Sequence, residues 1–345
     1  MKRHVNIPVF IPHLGCPNQC VFCNQRTISG VAEFDPTALS DIIDEALSTL
    51  GLDDDVEIAF FGGSFTGIDQ ELMISLLEIA HGYIVDGRVS SIRCSTRPDY
   101  INAEILEILR KFGVKTIELG LQSTSDDVLC ASKRGHNFIA EERACKMIVD
   151  SGFELLGQMM IGLPGADLDS ELQTADFIIA CGAVAARIYP TVVFKDTELY
   201  DMSRSGVYTP LTLEDAVQRS AAVLLKFIEA GIDVIRIGLC SSDNLTSPET
   251  YYAGPNHSAL GELVESRVYY MLIKNELKNN GELDGSEIVV LIPRGATSKA
   301  IGHKKVNKTK LLNEFSLKTI TFKENDTISD YEVAVYKKDG EIKCT

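Results

Sequence analysis

Short apolar runs alternate with helical patterns from residue 5 to about residue 240. The apolar runs are rich in β-branched and aromatic side chains, which favours strands, and the stretches between them repeat apolar residues with helical spacing. The predicted strands are Val5–Ile11, Val56–Phe61, Val89–Ser95, Lys115–Leu119, Glu154–Ile161 and Arg187–Val193. The predicted helices between them are Pro36–Leu50, Glu71–Ile84, Ala103–Phe112, Ala140–Ser151 and Asp169–Ala180. This alternation predicts an α/β fold with a parallel sheet.

Six β/α units in this order predict a partial (β/α)6 barrel of the TIM type, with its chemistry at the carboxyl ends of the strands. Beyond them we expect a helix at Leu213–Ala230, a strand-like run at Val234–Ile237 and a helix at Leu260–Leu277. The polar segment 279–285 is the best linker candidate. The predicted domains are the barrel (1–240), a barrel extension (241–280) and a small basic C-terminal β/α appendage (286–345).

The composition is that of an ordinary globular protein. Of the 345 residues, 45% are hydrophobic and 24% are charged. No apolar stretch approaches the ~18 residues of a membrane-spanning helix, and we expect neither such a helix nor a signal peptide. Nine cysteines without paired spacing beyond the first three indicate reduced thiols, so the expected location is the cytoplasm. The roles of the six scattered cysteines are open, with core packing favoured for those in apolar patterns: Cys94, Cys130, Cys145, Cys181, Cys240 and Cys344.

The net charge of −16 is unevenly distributed along the chain. Residues 286–345 hold 11 Lys and Arg against 8 Asp and Glu, a balance of +3, whereas the remaining residues hold 22 against 41, a balance of −19. Such an asymmetry indicates a basic appendage on an acidic body.

Three cysteines directly after the first predicted strand are the strongest chemical signal. Cys16, Cys20 and Cys23 have the spacing C-x3-C-x2-C, which supplies one thiolate fewer than a structural zinc or iron–sulfur site normally takes. Three thiolates on a [4Fe-4S] cluster leave one iron open to another molecule. The alternatives are buried cysteines or a zinc site with His13 as fourth ligand, although no second cysteine pair follows at zinc-finger spacing.

This motif is the signature of the radical S-adenosylmethionine (SAM) enzymes, and the chain resembles that superfamily. The resemblance implies a [4Fe-4S] cluster whose open iron binds SAM, and cleavage of SAM into methionine and a 5′-deoxyadenosyl radical. It also implies the partial barrel and places Phe22, beside Cys23, near the adenine. An electron donor such as ferredoxin or flavodoxin is an expected partner.

Paired glycines follow the second predicted strand in the segment Phe60-Phe61-Gly62-Gly63-Ser64. A glycine pair lets the backbone pass close to a ligand, and the resemblance implies that this pair contacts the amino group of SAM. A branched side chain at Gly63 is then expected to weaken SAM binding and to leave the cluster intact. By itself, a glycine pair is only a turn signal.

Segments at the ends of the later strands extend the resemblance to the catalytic subunit of Elongator and its microbial relatives, which modify the wobble uridine of tRNA. A looser resemblance is to oxygen-independent coproporphyrinogen oxidase. The Elongator likeness covers roughly residues 5–275, with matching segments at 95–99, 118–123, 133–136, 159–165 and 187–191. It implies that SAM contacts Gly62, Gly63, Ser64, Gln122, Arg134, Ile188 and Tyr189.

The chain also departs from the Elongator pattern. A glutamate often stands in that family where this chain has Ser95, which leaves the polar contact from the third strand open. Loop capping or surface ion pairing is the alternative role for Arg97, Arg134 and His136. Elongator's catalytic subunit continues into an acetyltransferase domain that binds acetyl-CoA, which we do not find after the barrel extension, so the resemblance does not imply that donor chemistry.

The tail has the element order of a KH domain, whose Gly-x-x-Gly loop clamps backbone phosphates. Strands are predicted at Glu287–Pro293 and Leu317–Phe322, helices at Thr297–Ile301 and Val306–Phe315, and the loop at 302–305, with Lys305 in place of the second glycine. A positive φ there would cost ~1–2 kcal/mol. The alternative is a β/α appendage with solvated lysines. The tentative RNA-binding residues are Lys299, Gly302, Lys304, Lys305 and Lys308.

Three functions remain open at the level of sequence. The favoured hypothesis is a radical SAM enzyme that modifies RNA, most simply tRNA, which it holds with its basic tail. The second is a radical SAM enzyme that acts on a small molecule such as a tetrapyrrole. The third is a non-catalytic iron–sulfur protein. The basic tail favours the first over the second, and the open cluster site with its glycine turn favours both over the third.

Overall fold

A computed structural model describes residues 3–12, 14–16, 20–24, 33–51, 53–239, 247–281 and 283–338. Its main feature is a curled, seven-stranded parallel sheet whose strand order follows the chain, β1-β2-β3-β4-β5-β6-β8. These strands are β1 (His4–Ile11), β2 (Asp55–Gly62), β3 (Ser91–Thr96), β4 (Val114–Gln122), β5 (Glu154–Ile161), β6 (Ala185–Pro190) and β8 (Asp233–Ile237). The predicted partial barrel is thereby confirmed.

Helices connect successive strands, and most of them pack on the outer face of the sheet. They are α1 (Leu39–Ser48), α2 (Gln70–Val85), α3 (Ala103–Lys111), α4 (Asp126–Ala131), α5 (Phe138–Asp150), α6 (Leu168–Ala180), α7 (Glu198–Arg204), α8 (Leu213–Glu229) and α9 (Leu260–Asn279). Most begin at a side-chain cap, such as Asn102 on α3 and Asn137 on α5, or the reciprocal Asp167–Ser170 capping box on α6.

Alternation along each strand separates the apolar core from the interior of the barrel. On β4, Ile117, Leu119 and Leu121 are fully buried in the main core beneath the helices. The alternate positions Glu118 and Gln122 face the barrel interior, and a register shift between Gly120 and Gln122 adjusts the end of the strand. The same alternation gives the sheet one apolar and one polar face.

The sheet differs from the prediction in two places. The run at 234–237 is a seventh strand, paired with β6, rather than an element beyond a six-stranded barrel. The predicted strand Arg187–Val193 ends at Pro190, because the neighbouring strand β5 ends at Ile161, which is the partner of Pro190. Val193–Phe194 then forms a separate strand, β7, which pairs antiparallel with β9 (Tyr251–Ala253).

The C-terminal part forms a second, smaller core against α9. Strand β10 (Glu287–Ile292) pairs in parallel with β11 (Thr319–Glu324) and antiparallel with β12 (Ala334–Lys337). Two helices, α10 (Thr297–Ile301) and α11 (Val306–Glu314), connect β10 to β11 in the predicted order. Their apolar residues pack on the α9 side chains Tyr269, Tyr270, Ile273 and Leu277.

Among the helices within the described ranges, none is both long and apolar enough to cross a membrane.

Candidate active site at the carboxyl edge of the sheet

The three cysteines lie in the loop that follows β1, at the carboxyl edge of the sheet. Neighbouring segments hold this loop through its backbone. Val21 donates its N–H to the carbonyl of Ser132 at 3.2 Å, and its own carbonyl accepts from Leu199 at 2.8 Å. Cys20 is buried, whereas Cys16 and Cys23 are partly exposed, and none of the three forms a disulfide. Burial raises the pKa of the Cys16 thiol, against the attraction of Arg97.

The glycine turn after β2 packs directly on the cysteine loop. The backbone N–H of Gly63 donates to the carbonyl of Ile11 at 2.8 Å, and that of Ser64 donates to the carbonyl of Leu14 at 3.0 Å. A Cβ atom at Gly63 would lie only 2.0 Å from the Leu14 carbonyl oxygen. The close approach at Gly63 is therefore to the chain's own backbone. For this reason we now expect a branched residue there to displace the cysteine loop and to disturb the cluster as well as SAM binding.

The side chain of Ser64 is hydrogen-bonded within the protein. Its hydroxyl lies 3.0 Å from the Thr96 hydroxyl and accepts from the backbone N–H of Arg97 at 3.2 Å. The side chain thus joins the glycine turn to the end of β3, while the backbone N–H and carbonyl of Ser64 bond to Leu14 and Gly67. Contact between SAM and residues 62–64 stays a prediction.

Two buried arginines meet at Cys20. Arg134 directs Nη1 to the sulfur at 3.3 Å and Nη2 to the carbonyl oxygen of Gly120 at 2.6 Å. Arg97 places Nη1 at 4.0 Å from the same sulfur and also donates to the carbonyl of Arg134. Arg134 and Arg97 are 5% and 4% exposed, so neither is the surface residue of the alternative interpretation.

A chain of ionisable side chains extends from Arg97 into the core. Asp99 accepts two hydrogen bonds from Arg97, both at 2.9 Å, and lies 3.6 Å from Nδ1 of His136. Nε2 of His136 lies 3.0 Å from Oε1 of Glu141, which is fully buried on α5. Burial raises the pKa of Glu141 to about 7, whereas hydrogen bonds from His136 and Arg97 outweigh burial and hold the pKa of Asp99 below its usual range.

The inner wall of the barrel is polar below this edge. Glu57 of β2 pairs with Arg93 of β3 at 2.7 Å, and Glu118 of β4 lies 3.1 Å from Nε of Arg187 on β6. Burial raises the pKa of Glu118, against the attraction of Arg187. Ser95 of β3 lies opposite Glu118 of β4 in the strand register. The Elongator pattern often has a glutamate at the position of Ser95, and in this chain the nearest counterpart is the Glu118 carboxylate on the adjacent strand.

The remaining predicted SAM-binding residues differ in what they present to the barrel. Gln122 has a positive φ of 75°, an uncommon conformation for a residue other than glycine. Its side-chain Oε1 accepts a hydrogen bond from Nε2 of Gln158 at 2.9 Å. Tyr189 is on the inner face, where Arg187 donates to its hydroxyl at 3.1 Å. Ile188 is fully buried in the outer core, so only its backbone could contact a nucleotide. Phe22 packs beside Val21 in a small cluster with Leu199.

The residues present fit a cluster held by three cysteines. Thiolates are the soft ligands that iron–sulfur clusters take, and two guanidinium groups offset their negative charge. In the part of the chain that is described, no three His, Cys, Asp or Glu side chains converge on a point suited to one metal ion. A cubane cluster needs no such convergence, because each cysteine binds a different iron. His13, the proposed zinc ligand, lies outside the described residues, as do Cys240 and Cys344.

One polar atom of the Arg134 side chain is left unsatisfied. Within the described ranges, its Nε is buried and has no hydrogen-bond partner. Buried guanidinium nitrogens are costly to leave unpaired, and a carboxylate is the group that best satisfies them.

The basic loop of the tail, residues 302–305, is exposed and strained. Lys304 and Lys305 have φ values of 50° and 62°, which cost ~1–2 kcal/mol each in a residue with a side chain. The positive φ anticipated at Lys305 is thus present. Across the described segments, no carboxylate lies within 4.0 Å of either ammonium group, nor of that of Lys308, whereas Lys299 pairs with Glu265 at 2.8 Å. Glycine is needed at position 302 for packing within the protein, because a Cβ there would lie 2.9 Å from side-chain atoms of Val306 and Asn307.

Sequence reasoning missed Asp99 and Glu141 as parts of the site. Asp99 lies two residues from Arg97 and Glu141 lies five residues from His136, so both pairs are local in sequence. The long-range contact of Asp99 with His136 joins the two pairs, and Glu141 lies within an amphipathic helix pattern where a glutamate is ordinary. The one available signal was the dense run of charged residues that ends β3 and follows α4.

Comparison with known proteins identifies the class. Residues 10–178 match the Radical SAM superfamily, and residues 184–270 match the Radical_SAM C-terminal domain. Together with the three-cysteine loop at the carboxyl edge of a curled parallel sheet, these matches show that the chain belongs to the radical SAM superfamily.

Individual proteins of this class are similar to the chain over part of their length. The chain is 26% identical over 248 residues to tRNA uridine(34) acetyltransferase from Methanocaldococcus jannaschii, and the aligned region covers 59% of this chain and 45% of the relative. It is 28% identical over 214 residues to human Elongator complex protein 3, covering 56% of this chain and 39% of the relative. The chain thus matches less than half the length of either relative.

A solved structure shows the same fold. The archaeal Methanocaldococcus infernus Elp3 with its N-terminus deleted superposes with a TM-score of 0.61 at 22% sequence identity, over 81% of this chain and 64% of that one.

Proposed function

We propose that this protein is a radical SAM enzyme that holds a [4Fe-4S] cluster on Cys16, Cys20 and Cys23 and modifies tRNA. The observation that carries the proposal is the three-cysteine loop, packed on a glycine turn and capped by two buried arginines at the carboxyl edge of the sheet. When bound, such a cluster supplies the electron that cleaves SAM into methionine and a 5′-deoxyadenosyl radical.

The chain's own residues provide a binding path for SAM along the strand ends. The glycine turn offers backbone groups beside the cysteine loop, and Arg134 offers its unpaired Nε to the carboxylate. Gln122 and Tyr189 line the inner face further along the edge and are suited to the ribose and the adenine. The largely buried barrel interior limits the access of water to a reactive radical. A ferredoxin or flavodoxin is the proposed electron donor.

Two observations favour tRNA as the substrate. The relatives named above are a tRNA uridine acetyltransferase and an Elongator subunit, although the aligned part is under half of each. The exposed lysines at 304 and 305 provide a phosphate-binding surface on a body that is otherwise acidic. A small molecule such as a tetrapyrrole does not require an extended phosphate-binding surface.

Cys20→Ala tests both the proposed cluster and the proposed modification of tRNA. We expect the anaerobically reconstituted wild-type protein to bind about four irons and to release 5′-deoxyadenosine under strong reductant, and the variant to lose both. Mass spectrometry of digested tRNA from cells carrying each form should show a modified nucleoside with the wild type alone. Normal SAM cleavage by the variant would refute the cluster assignment, and identical nucleosides would shift the proposal to a small-molecule substrate.

A further inference from the structure

Two cationic side chains converge on a single cysteine sulfur. Arg134 donates to Sγ of Cys20 at 3.3 Å, Arg97 reaches it at 4.0 Å, and both guanidinium groups are buried. We propose that Arg97 and Arg134 form a cationic cap on Cys20 that raises the reduction potential of its cluster. The inference rests on the cluster of the proposed function and assigns these two residues a role separate from SAM binding.

The physical basis is the change of charge on reduction. A cluster held by three thiolates becomes more negative by one unit when it accepts an electron. Fixed positive charge and hydrogen bonds to the sulfur stabilise the reduced form more than the oxidised form, so they raise the potential. The effect is strong here because burial of the cap lowers the local dielectric constant.

Further hydrogen bonds hold both arginines of the cap in position. Arg134 is anchored at its other end by the carbonyl of Gly120, at 2.6 Å. Arg97 donates to the backbone carbonyl of Arg134, which joins the two arginines directly. Asp99 fixes Arg97 with two hydrogen bonds and neutralises part of its charge. We therefore expect Arg134 to contribute more to the potential than Arg97.

His136 and Glu141 act as positioning residues for Arg97. His136 lies 3.5 Å from Nη2 of Arg97 and is held at its other nitrogen by Glu141 at 3.0 Å. Neither has a hydrogen bond or ion pair to a described cysteine of the loop, so we expect Glu141 to influence the cluster mainly through the position of Arg97. This makes the two roles separable by experiment.

The test is a redox titration of the reconstituted full-length protein without SAM, followed by the EPR signal of the reduced cluster. At a fixed potential, we expect Arg134→Gln to lower the ratio of reduced to oxidised cluster about tenfold, equivalent to 59 mV for one electron. Arg97→Gln should shift it less in the same direction, and Arg134→Lys should keep much of the wild-type potential. Arg143→Gln, which removes the same charge from an exposed position on α5, should have no effect.

Iron content measured beside each titration separates the outcomes. A wild type that holds no cluster refutes the proposed function. Variants that hold four irons and titrate at the wild-type potential refute the cap alone. If Arg134→Gln fails to hold iron, Arg97→Gln and Arg134→Lys decide the question by the same measurement.

A double-mutant cycle tests the positioning role. Glu141→Gln should lower the reduction potential slightly. The double variant Glu141→Gln with Arg97→Gln should titrate like Arg97→Gln alone, because Glu141 positions Arg97 through His136 and has no effect once Arg97 is removed. Fully additive shifts would refute positioning by Glu141 and leave the cap in place.

Discussion

Glu141 illustrates how a single buried side chain makes stability depend on pH. Burial raises its pKa to about 7 from an ordinary value of 4.5. Between these two pH values the folded protein holds a proton that the unfolded chain has released. The stabilising effect of that proton is complete below pH 4.5 and disappears as the pH rises through about 7.

Glu141→Gln should remove this dependence, because glutamine stays neutral throughout. We expect the variant to gain stability relative to the wild type as the pH rises from 4.5 to 7, by up to roughly 3 kcal/mol. Denaturant unfolding at a series of pH values measures the difference, and Glu142→Gln, at an exposed neighbour on the same helix, is the control. Parallel curves for Glu141→Gln and the wild type would contradict the assignment of this titration.

The chemistry of single residues could be predicted only where it was encoded locally. The cysteine spacing and the charged residues after β3 and α4 are local signals, and the structure places Arg97 and Arg134 beside Cys20. His136 and Glu141 are only five residues apart, but the burial of Glu141 and the contact of His136 with Asp99 depend on how α5 packs, which no short segment encodes. The same limit applies to Ser64, whose hydroxyl bonds to Thr96 on the next strand.

At the level of elements, periodicity located most strands and helices to within a few residues. Glu154–Ile161 and Thr297–Ile301 have the predicted bounds. The failures occur where tertiary contacts override a continuous apolar run. The apolar run from Arg187 predicts a strand through Val193, although β5 ends at Ile161 and gives this strand no partner in the sheet beyond Pro190. Short elements such as α4 and β12 carry too few periodic residues to be recognised.

The contact between the glycine turn and the cysteine loop makes these two segments one unit. Gly63→Ala would place a Cβ within 2.0 Å of the Leu14 carbonyl oxygen, so the two loops must separate. We expect this variant to lose iron as well as SAM affinity. Gly82→Ala on α2 is the matched control, because its Cβ would meet no atom within 4 Å, and it should hold iron normally and gain up to about 1 kcal/mol of stability. Full iron loading of Gly63→Ala would show that the loop contact is not required.

Helix α9 links the basic loop to the last strand of the sheet. The helix begins at Leu260, which packs against Gly238 at the carboxyl end of β8. Asn307, just after the loop, donates to the carbonyl of Ser266 on α9 at 2.8 Å. Six residues of helix span about 9 Å, so this anchor lies within about two turns of the carboxyl end of β8. The cysteines follow β1, which is the outermost strand on the other side of the sheet.

Replacing Lys304 and Lys305 together with Gln tests whether this loop binds phosphates. Each lysine that neutralises a phosphate contributes about 0.7–0.9 to the slope of log affinity against log salt, so the double variant should bind tRNA more weakly with a slope reduced by roughly 1.5. The control is Lys318→Gln with Lys338→Gln, which removes the same charge from lysines that pair with Glu287 at 2.8 and 2.9 Å in the same domain.

The acidic body makes this a demanding measurement. A balance of −19 outside residues 286–345 repels polyanions, so salt-sensitive tRNA binding requires a dedicated cationic surface. SAM cleavage without RNA should be unchanged in both double variants, because neither pair contacts a described residue of the cysteine loop. If the loop variant binds tRNA with the wild-type affinity and slope, the phosphate-binding loop is wrong. If the wild type shows no salt-sensitive RNA binding, the substrate is a small molecule and the strained lysines at 304 and 305 require another explanation.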